Sequence, residues 1–371
     1  MVKVANFSLI IIFLLSLSLT SSAFAFNDVD ERLVLTYYYV WYGPNNPDHD
    51  WAGGDSIYKP LLGYYWSNDN KVIDRHVEWA LESGIDGFIL SWWGKYPLNN
   101  FEDETTKHVF KRVNILYPEF RLAIMVEQVT YDDGTNFYCW REWNHDFDDN
   151  LYTQALEETL VYVVQNYIQP YEDVYLKWNG KPVIVLYAFL DPDHASDAEF
   201  YRSYFNDRIV NVFEQTGVKI SLWSLNTVDA ECFGVVATYL PELQAKDNPQ
   251  CPMKGQNYTT IKGVKVSVVF PGYHKVESQD MIIERCNGKF YEEQWRRTLK
   301  FNPDIVFITS FNEWHESTSI EPAEEWGHLY LNLTKKFSEA NYNQELENSI
   351  IMLGVTLITI FSIVAILKKL L

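Results

Sequence analysis

Positive charge is scarce in this sequence. Its 371 residues include 30 Lys and Arg against 50 Asp and Glu, which gives a formal net charge of −20. A chain with this excess of negative charge repels polyanions, because the field over most of its surface has the same sign as theirs. We therefore expect no nucleic-acid partner.

The sequence also lacks the motifs of several enzyme classes. No Gly-x-Ser-x-Gly nucleophile elbow occurs, and no glycine-rich phosphate fingerprint follows the first predicted strand. His315-Glu316 continues as Ser-Thr-Ser, so the second histidine of a zinc-protease HExxH motif is missing. The sequence therefore predicts neither a metal site nor a bound cofactor.

Long apolar runs are confined to the two ends of the chain. Lys3, an apolar core from Phe7 to Leu19 and a small-x-small site at Ala23-Phe24-Ala25 predict a signal peptide over residues 1–25. The uncharged stretch 350–367 is about long enough for one membrane-spanning helix. A buried core helix is the alternative, but the stretch is apolar on every face.

These ends define the predicted organisation. A domain over residues 26–340 is joined by a short linker, 341–349, to the predicted transmembrane helix, and a cytoplasmic tail, 368–371, follows. Lys368 and Lys369 should hold that tail in the cytoplasm, which places the domain on the extracellular or lumenal side. In a eukaryotic host the two lysines fit a dilysine retrieval signal, and in a prokaryote they are only a stop-transfer flank.

Cysteine is rare as well. The candidates for disulfides are the four cysteines Cys139, Cys232, Cys251 and Cys286. Their spacing matches no metal motif, and an exported domain permits disulfides. We expect two bridges in one of three connectivities, with Cys232 to Cys251 as one of them.

What the sequence does contain is a regular series of short β-type runs. The eight runs are Leu33–Tyr39, Gly87–Ser91, Leu122–Val126, Val183–Ala188, Ile220–Ser224, Gly234–Tyr239, Val264–Phe270 and Ile305–Phe311. Helical stripes separate several of them, for example one that Gly84 stops and one that ends at Gly217. Eight alternating units in one domain predict a (β/α)₈ TIM barrel, with an open doubly wound sheet as the alternative.

Polar and aromatic residues cluster where these runs end. The candidate substrate-binding residues are Tyr39, Trp41, Tyr42, Trp92, Trp93, Glu127, Tyr273, Asn312 and His315. In a barrel the carboxyl ends of all strands surround one mouth, so these groups should converge there. Of the Trp92–Trp93 pair, one should face the mouth and the other should pack behind it. A structural salt bridge is an equally good interpretation of Glu127. A packing role is an equally good interpretation of Tyr273 and of His315.

The last run delivers two carboxylates three residues apart, Glu313 and Glu316. Paired carboxylates beside aromatic rings are what glycosidic bond cleavage requires, because one acid protonates the departing oxygen while another assists at the sugar. The aromatic content of 16%, with 13 Trp and 25 Tyr, suits sugar faces, although a tryptophan-rich core would also explain it. A strand that merely runs into an acidic loop is the plainer interpretation of an ExxE spacing.

Three stretches give the chain a family resemblance. Residues 38–43 (YYVWYG), 84–93 (GIDGFILSWW) and 308–316 (ITSFNEWHE), the last followed by Ile320-Glu321-Pro322, resemble glycoside hydrolase family 99, the endo-α-mannosidase group of (β/α)₈ barrels. The resemblance covers nearly the whole exported body. The segment after Trp41 and the loop 240–261 match no family motif, which leaves linkage and substrate length open.

The resemblance implies a retaining endo-glycosidase acting on α-mannosidic or similar α-linked glycans. It implies that Glu313 is the base that removes the proton of the sugar's own 2-hydroxyl, so that a 1,2-anhydro sugar forms. The matching general acid and later base is Glu316. The expected partners are an oligosaccharide or polysaccharide substrate and a membrane bound through the C-terminal helix.

Two other functions are weighed against hydrolysis. A related glycosyltransferase would need a nucleotide-sugar site, and the sequence shows no acidic diad or basic pocket for one. A non-catalytic carbohydrate-binding surface protein has no need for two paired acids, whereas Glu313 and Glu316 are both present. The hydrolase is therefore the preferred prediction.

Overall fold

The computed structural model describes residues 32–44, 49, 51, 56–95, 100–141, 145–189, 191, 193–194, 197–225, 232–240, 258–276 and 282–340. Within that part of the chain, no helix has the length and apolarity that a membrane crossing requires. The predicted signal peptide, residues 1–25, and the predicted transmembrane stretch, 350–367, lie outside the described residues, as does Cys251.

The strands of the described chain are numbered in chain order. They are β1 (Leu33–Tyr39), β2 (Gly87–Trp92), β3 (Arg121–Val126), β4 (Gln128–Asp132), β5 (Phe137–Arg141), β6 (Lys177–Trp178), β7 (Lys181–Tyr187), β8 (Ser221–Leu225), β9 (Val235–Ala237), β10 (Tyr258–Ile261), β11 (Val264–Val269), β12 (Tyr273–His274), β13 (Ile282–Ile283) and β14 (Ile305–Ile308). The eight runs predicted from sequence correspond to β1, β2, β3, β7, β8, β9, β11 and β14.

These eight strands form one nearly closed, parallel barrel. The hydrogen-bonded order is β11-β14-β1-β2-β3-β7-β8-β9, and every neighbouring pair in it is parallel. β10 adds an antiparallel strand to β11, and β6 adds one to β7. β9 and β11 pack against each other without a ladder between their described residues. The predicted barrel is confirmed, and the open doubly wound sheet is excluded.

The barrel strands are apolar on both faces. In β1, Leu35, Tyr37 and Tyr39 belong to a core cluster that includes interior residues of all the other barrel strands. The intervening Val34 and Tyr38 belong to a second cluster that lies between the strands and the helices. Successive strand residues point to opposite faces, so two apolar faces bury the sheet on both sides.

Among the described residues, six α-helices follow barrel strands. They are α1 (Asn70–Glu82), α2 (Phe101–Leu116), α3 (Asn150–Val163), α4 (Ala198–Thr216), α5 (Lys289–Phe301) and α6 (Leu329–Ser338). Local chemistry fixes several ends: Asp197 caps α4 through the main-chain N–H groups of residues 199 and 200, and Gly217 closes it with a φ of +74°. The predicted end at Gly217 is confirmed, whereas α2 belongs to none of the helical stripes singled out in the sequence.

The cysteines depart from the expected pairing. Cys232 is a thiol, so the predicted bridge from Cys232 to Cys251 is wrong. Cys139 is also a thiol, and its Sγ donates to Gln128 Oε1 at 3.3 Å. Cys286 is disulfide-bonded. With two of the four cysteines present as thiols, two bridges are excluded. Cys139 lies on β5, and Cys232 packs beside α4, where its Sγ lies 3.7 Å from the carbonyl oxygen of Tyr201.

Candidate active site

The site is built on the segment that follows β14, residues 310–321, which we call the acid loop. It folds back on itself, because Ser310 N donates to Thr318 O at 2.9 Å and Ile320 N donates to Ser310 O at 3.0 Å. Glu313 N donates to Ser310 Oγ at 2.8 Å, which fixes the turn that carries the first acid. The position of Glu313 is thus set by hydrogen bonds within the loop.

The Glu313 carboxyl is almost wholly buried and is held by two main-chain donors. His315 N donates to its Oε1 at 3.0 Å, and Glu316 N donates to its Oε2 at 2.7 Å. A carboxylate oxygen can accept more than one hydrogen bond, so acceptor capacity remains for a ligand hydroxyl. The carboxyl is therefore oriented by the backbone and still able to receive a proton.

Electrostatics favour a proton on this pair. Burial raises the pKa of Glu313 well above its ordinary value, and the neighbouring charge of Glu316 raises it further. The two main-chain N–H groups and Lys275 act in the opposite direction and do not outweigh the burial. Like charges resist joint ionisation, so the charge of Glu316 adds to the effect of burial and favours the protonated form of Glu313.

Glu316 is half-buried and faces the same tyrosines as Glu313. Burial raises the pKa of Tyr239 and of Tyr273, and the charges of Glu316 and Glu313 raise both further. The carbonyl oxygen of Glu316 accepts from His274 N at 2.8 Å, so β12 holds this end of the acid loop. Both acids and Tyr273 therefore lie together at the carboxyl end of the barrel.

Tyr239 is a site residue that the sequence did not single out. Its hydroxyl lies 2.7 Å from the hydroxyl of Tyr39, and its ring contacts that of Tyr187 edge-on at 5.6 Å. The signal was present, because Tyr239 ends the sixth predicted strand as Tyr39 ends the first. The loop beyond Tyr239 matched no family motif, and attention to strand ends alone would have found it.

Asn312 and Tyr42, both predicted to bind substrate, are buried supports. The Asn312 amide bonds Tyr39 through Tyr39 N to Oδ1 at 2.8 Å and Nδ2 to Tyr39 O at 2.9 Å. Tyr42 Oη donates to Asn312 O at 3.1 Å and accepts from Trp314 N at 3.1 Å. Their hydrogen bonds extend the contact of β14 with β1 into the acid loop.

The tryptophan pair after β2 divides as the strand alternation requires. Trp92 is buried behind the barrel, and its Nε1 donates to Asp103 Oδ1 of α2 at 3.0 Å, so its predicted substrate contact is wrong. Trp93 is half-buried, with its ring 6.1 Å from that of Trp41. Trp93 is the member of the pair on the mouth side.

Glu127 also lies in the mouth, next to Ser91 and Trp93. Its Oε1 accepts from Ser91 Oγ at 2.9 Å, and Ser91 Oγ accepts from Trp93 Nε1 at 3.0 Å. Burial raises the pKa of Tyr39, and the charges of Glu127 and Glu313 raise it further. Glu127 therefore belongs to the same electrostatic neighbourhood as the two acids.

Trp41 and His315 complete the wall next to the acids. Trp41 is half-buried, with ring centroids 4.5 Å from Tyr39 and 4.1 Å from His49, on which it stacks. His49 contacts the ring of His315 edge-on at 6.2 Å. A run of aromatic rings therefore borders the side of the site where Glu316 lies.

Behind this wall is a second buried carboxylate, Glu321, which the sequence showed only as part of the family motif. Its Oε2 accepts from Tyr65 Oη at 2.7 Å and from Trp314 Nε1 at 2.9 Å. Its Oε1 lies 3.1 Å from His76 Nε2, and His76 Nδ1 lies 3.0 Å from Tyr38 Oη. Glu321 therefore ties the acid loop to β1 and α1.

Arg285 was not predicted either. Its buried guanidinium donates to Ser317 O at 2.9 Å and to Ser319 O at 2.8 Å, immediately after Glu316. The same group lies 4.0 Å from the ring centroid of Trp326. A charged donor and a cation–π contact thus clamp the far half of the acid loop.

Comparison with known proteins agrees with this geometry. The sequence profile of Glycosyl hydrolase family 99 matches residues 259–344. A glycoprotein endo-alpha-1,2-mannosidase-like protein of Danio rerio is 40% identical over 349 residues, which cover 82% of this chain and 70% of that protein. The glycoprotein endo-alpha-1,2-mannosidase of Xenopus laevis is 26% identical over 340 residues, with 82% and 69% covered.

A solved structure shares the fold. The GH99 endo-alpha-mannosidase from Bacteroides thetaiotaomicron superposes with a TM-score of 0.58 at 19% identity, covering 84% of this chain and 97% of that one. A barrel with paired carboxylates at its carboxyl end is the architecture of a glycoside hydrolase. The chain belongs to glycosyl hydrolase family 99.

Proposed function

We propose that this protein is a retaining endo-α-mannosidase that cleaves an α-1,2-mannosidic bond inside a glycan. The observation that carries the proposal is the placement of Glu313 and Glu316 against one group of tyrosines at the carboxyl end of the barrel. The linkage is suggested by the relatives from Xenopus laevis and Danio rerio, which are an endo-alpha-1,2-mannosidase and a protein like one.

In the first step Glu313 takes the proton of the sugar's 2-hydroxyl. The freed oxygen forms a bond to C1 while the bond from C1 to the leaving oxygen breaks, and Glu316 gives its proton to that oxygen. In mannose the axial 2-hydroxyl reaches C1 from the face opposite an α-linked leaving group. Glu313 suits this role because burial increases its proton affinity while two N–H groups hold its direction.

In the second step water attacks C1 and Glu316 removes its proton. The bond between C1 and O2 breaks, and O2 recovers the proton from Glu313. Two inversions at C1 give net retention. One proton on the carboxyl pair serves both steps, which matches a pair that cannot ionise jointly.

Two finer assignments complete the proposal. Trp41, Trp93, Glu127, Tyr239 and Tyr273 bind the sugars beside the scissile bond. The chain is exported by residues 1–25 and anchored by residues 350–367, with the barrel on the extracellular or lumenal side. No cofactor takes part.

The test is hydrolysis of α-mannosides of defined linkage, followed by NMR of the newly formed anomer. We expect cleavage within an α-1,2-linked oligosaccharide with first release of the α-anomer. Glu313→Gln and Glu316→Gln should each abolish most of this activity. First release of the β-anomer, or near wild-type hydrolysis by either variant, would contradict the mechanism.

A further inference from the structure

Exposed apolar side chains are concentrated in the loop between β1 and α1. The large exposed apolar residues there are Ile57, Leu61, Leu62, Tyr64 and Trp66. Tyr64 is 58% exposed and Trp66 is 40% exposed. An apolar patch that water covers in the isolated chain is commonly a place where a ligand or partner binds. The proposed catalytic steps make no use of this surface.

A continuous series of rings connects this surface with the acids. The ring of Tyr64 stacks on Trp51 at 5.1 Å, and Trp51 stacks on Tyr42 at 4.2 Å. From Tyr42 the series continues through Trp41 and His49 to His315, the residue next to Glu316. Tyr64 is thus the outermost described ring of the aromatic wall and the most exposed one.

Tyr64 is presented on a fixed backbone. Leu61 N donates to Pro322 O at 2.8 Å, and Trp51 Nε1 donates to Tyr65 O at 2.7 Å. The Tyr65 hydroxyl is in turn bonded to Glu321. A ligand that stacks on Tyr64 therefore does not have to order the loop, which reduces the entropy cost of binding.

The position of the loop favours a glycan over a lipid surface as its binding partner. The loop follows the carboxyl end of β1, the end that holds the acids. The last described helix, α6, ends at the opposite face of the barrel, where Ser338 Oγ donates to Ser83 O at 3.0 Å, shortly before β2 begins. The described chain thus leaves toward the predicted membrane anchor from the face opposite Tyr64.

We propose that Tyr64 and Trp66 form an outer sugar-binding subsite, which takes a hexose of the substrate glycan that is remote from the scissile bond. This inference rests on the proposed glycan hydrolase function. Stacking on open rings selects an apolar hexose face without charge, which suits a strongly acidic protein. The subsite gives the enzyme a preference for extended glycans over short ones.

The kinetic test compares two substrates on the full chain. One is a high-mannose oligosaccharide, and the other is an aryl α-glycoside that reaches only the acids and their neighbours. For Tyr64→Ala and Trp66→Ala we expect kcat/KM on the oligosaccharide to fall roughly tenfold, with no change on the aryl glycoside. Phe213→Ala, which removes an aromatic ring that is 48% exposed on α4, is the matched control.

A binding test separates the subsite from the catalytic proposal. Calorimetry on Glu316→Gln measures the affinity for the intact oligosaccharide without turnover, and adding Tyr64→Ala should weaken it about tenfold. Equal affinity with and without Tyr64 overturns the subsite, even if the enzyme hydrolyses mannosides. Loss of vesicle binding in Tyr64→Ala would assign the loop to lipid and also overturn it. Failure of the wild type to cleave any α-mannoside would sink the proposed function alone.

Discussion

Glu313 and Glu321 are buried glutamates of the same loop whose surroundings differ in kind. Glu313 receives two main-chain N–H groups and shares its space with a second acid, and its pKa is raised. Glu321 receives a tyrosine hydroxyl, an indole N–H and a histidine. Main-chain N–H groups orient the Glu313 carboxyl, but they do not offset the cost of burying its charge. Side chains around Glu321 stabilise the charge of that carboxylate. We infer that the surroundings of Glu313 suit proton transfer and that those of Glu321 hold the acid loop in place.

Loss of the general acid should be the largest effect. Glu316→Gln removes the proton for the leaving oxygen, so we expect hydrolysis of an oligosaccharide to fall about 10²–10⁴-fold. Hydrolysis of an aryl mannoside with a good leaving group should fall much less, because that leaving group departs without being protonated. Glu324→Gln, at an exposed surface glutamate that pairs with Lys59, is the control. Equal losses on the two substrates would remove Glu316 from this role.

The supporting carboxylate should matter for stability first. Glu321→Gln replaces one carboxylate oxygen by an amide N–H₂ group beside the Tyr65 hydroxyl, the Trp314 indole N–H and the His76 ring, so this buried network loses an acceptor or must shift the His76 tautomer. We expect the free energy of unfolding to fall by about 1–3 kcal/mol, measured by urea titration. A displaced acid loop should lower kcat more than it raises KM, and His76→Gln should do so in the same direction. Unchanged stability in both variants would mean that the network is not a support.

Glu313→Gln should change how stability depends on pH. A group whose pKa is raised on folding favours its protonated form, so the stability it contributes is present at low pH and is lost as the pH rises through the folded-state pKa. A neutral amide removes that loss, while its N–H₂ group faces one of the two main-chain N–H donors at every pH. We therefore expect the Tm of the variant, relative to wild type, to be higher at pH 8 than at pH 4. An equal Tm difference at the two pH values would show that the Glu313 charge is compensated after all.

The smallest effect should be a change in a pH profile. After burial, the charge of Glu316 raises the pKa of Glu313, so the two carboxyls resist joint ionisation. In the proposed mechanism the active pair carries one proton, so wild-type activity should fall at high pH, when that last proton leaves. In Glu316→Gln acting on an activated aryl mannoside, the leaving group needs no acid, and this basic limb should disappear. A basic limb that stays in place would show that it does not belong to Glu316.

The recurrence of strands was accessible from sequence because the composition of a short run is a local property. The barrel strands bury residues on both faces, and β-branched and aromatic residues mark them without reference to any partner. The cap at Asp197 and the stop at Gly217 are local in the same way. For these features a residue's neighbours in the chain are also its neighbours in space.

Side-chain roles at the mouth were less accessible. Trp92 and Trp93 are equivalent in a sequence pattern, and only the pairing of β2 with its neighbours decides that Trp92 packs against α2. Tyr42 follows the first strand like a wall residue, yet its hydroxyl is taken by the acid loop, 270 positions away. Cys232 could not be assigned because pairing of thiols depends on distances through space.

The sequence by itself determined the barrel, the family and the two acids that the motif carries, because these follow from periodicity and from residues adjacent in the chain. Only the tertiary structure decided which carboxylate is left short of compensation and which is satisfied, and which rings face outward. Those properties depend on donors and burial supplied by distant segments: Tyr38, Tyr65 and His76 reach the acid loop only after the last strand has closed against the first.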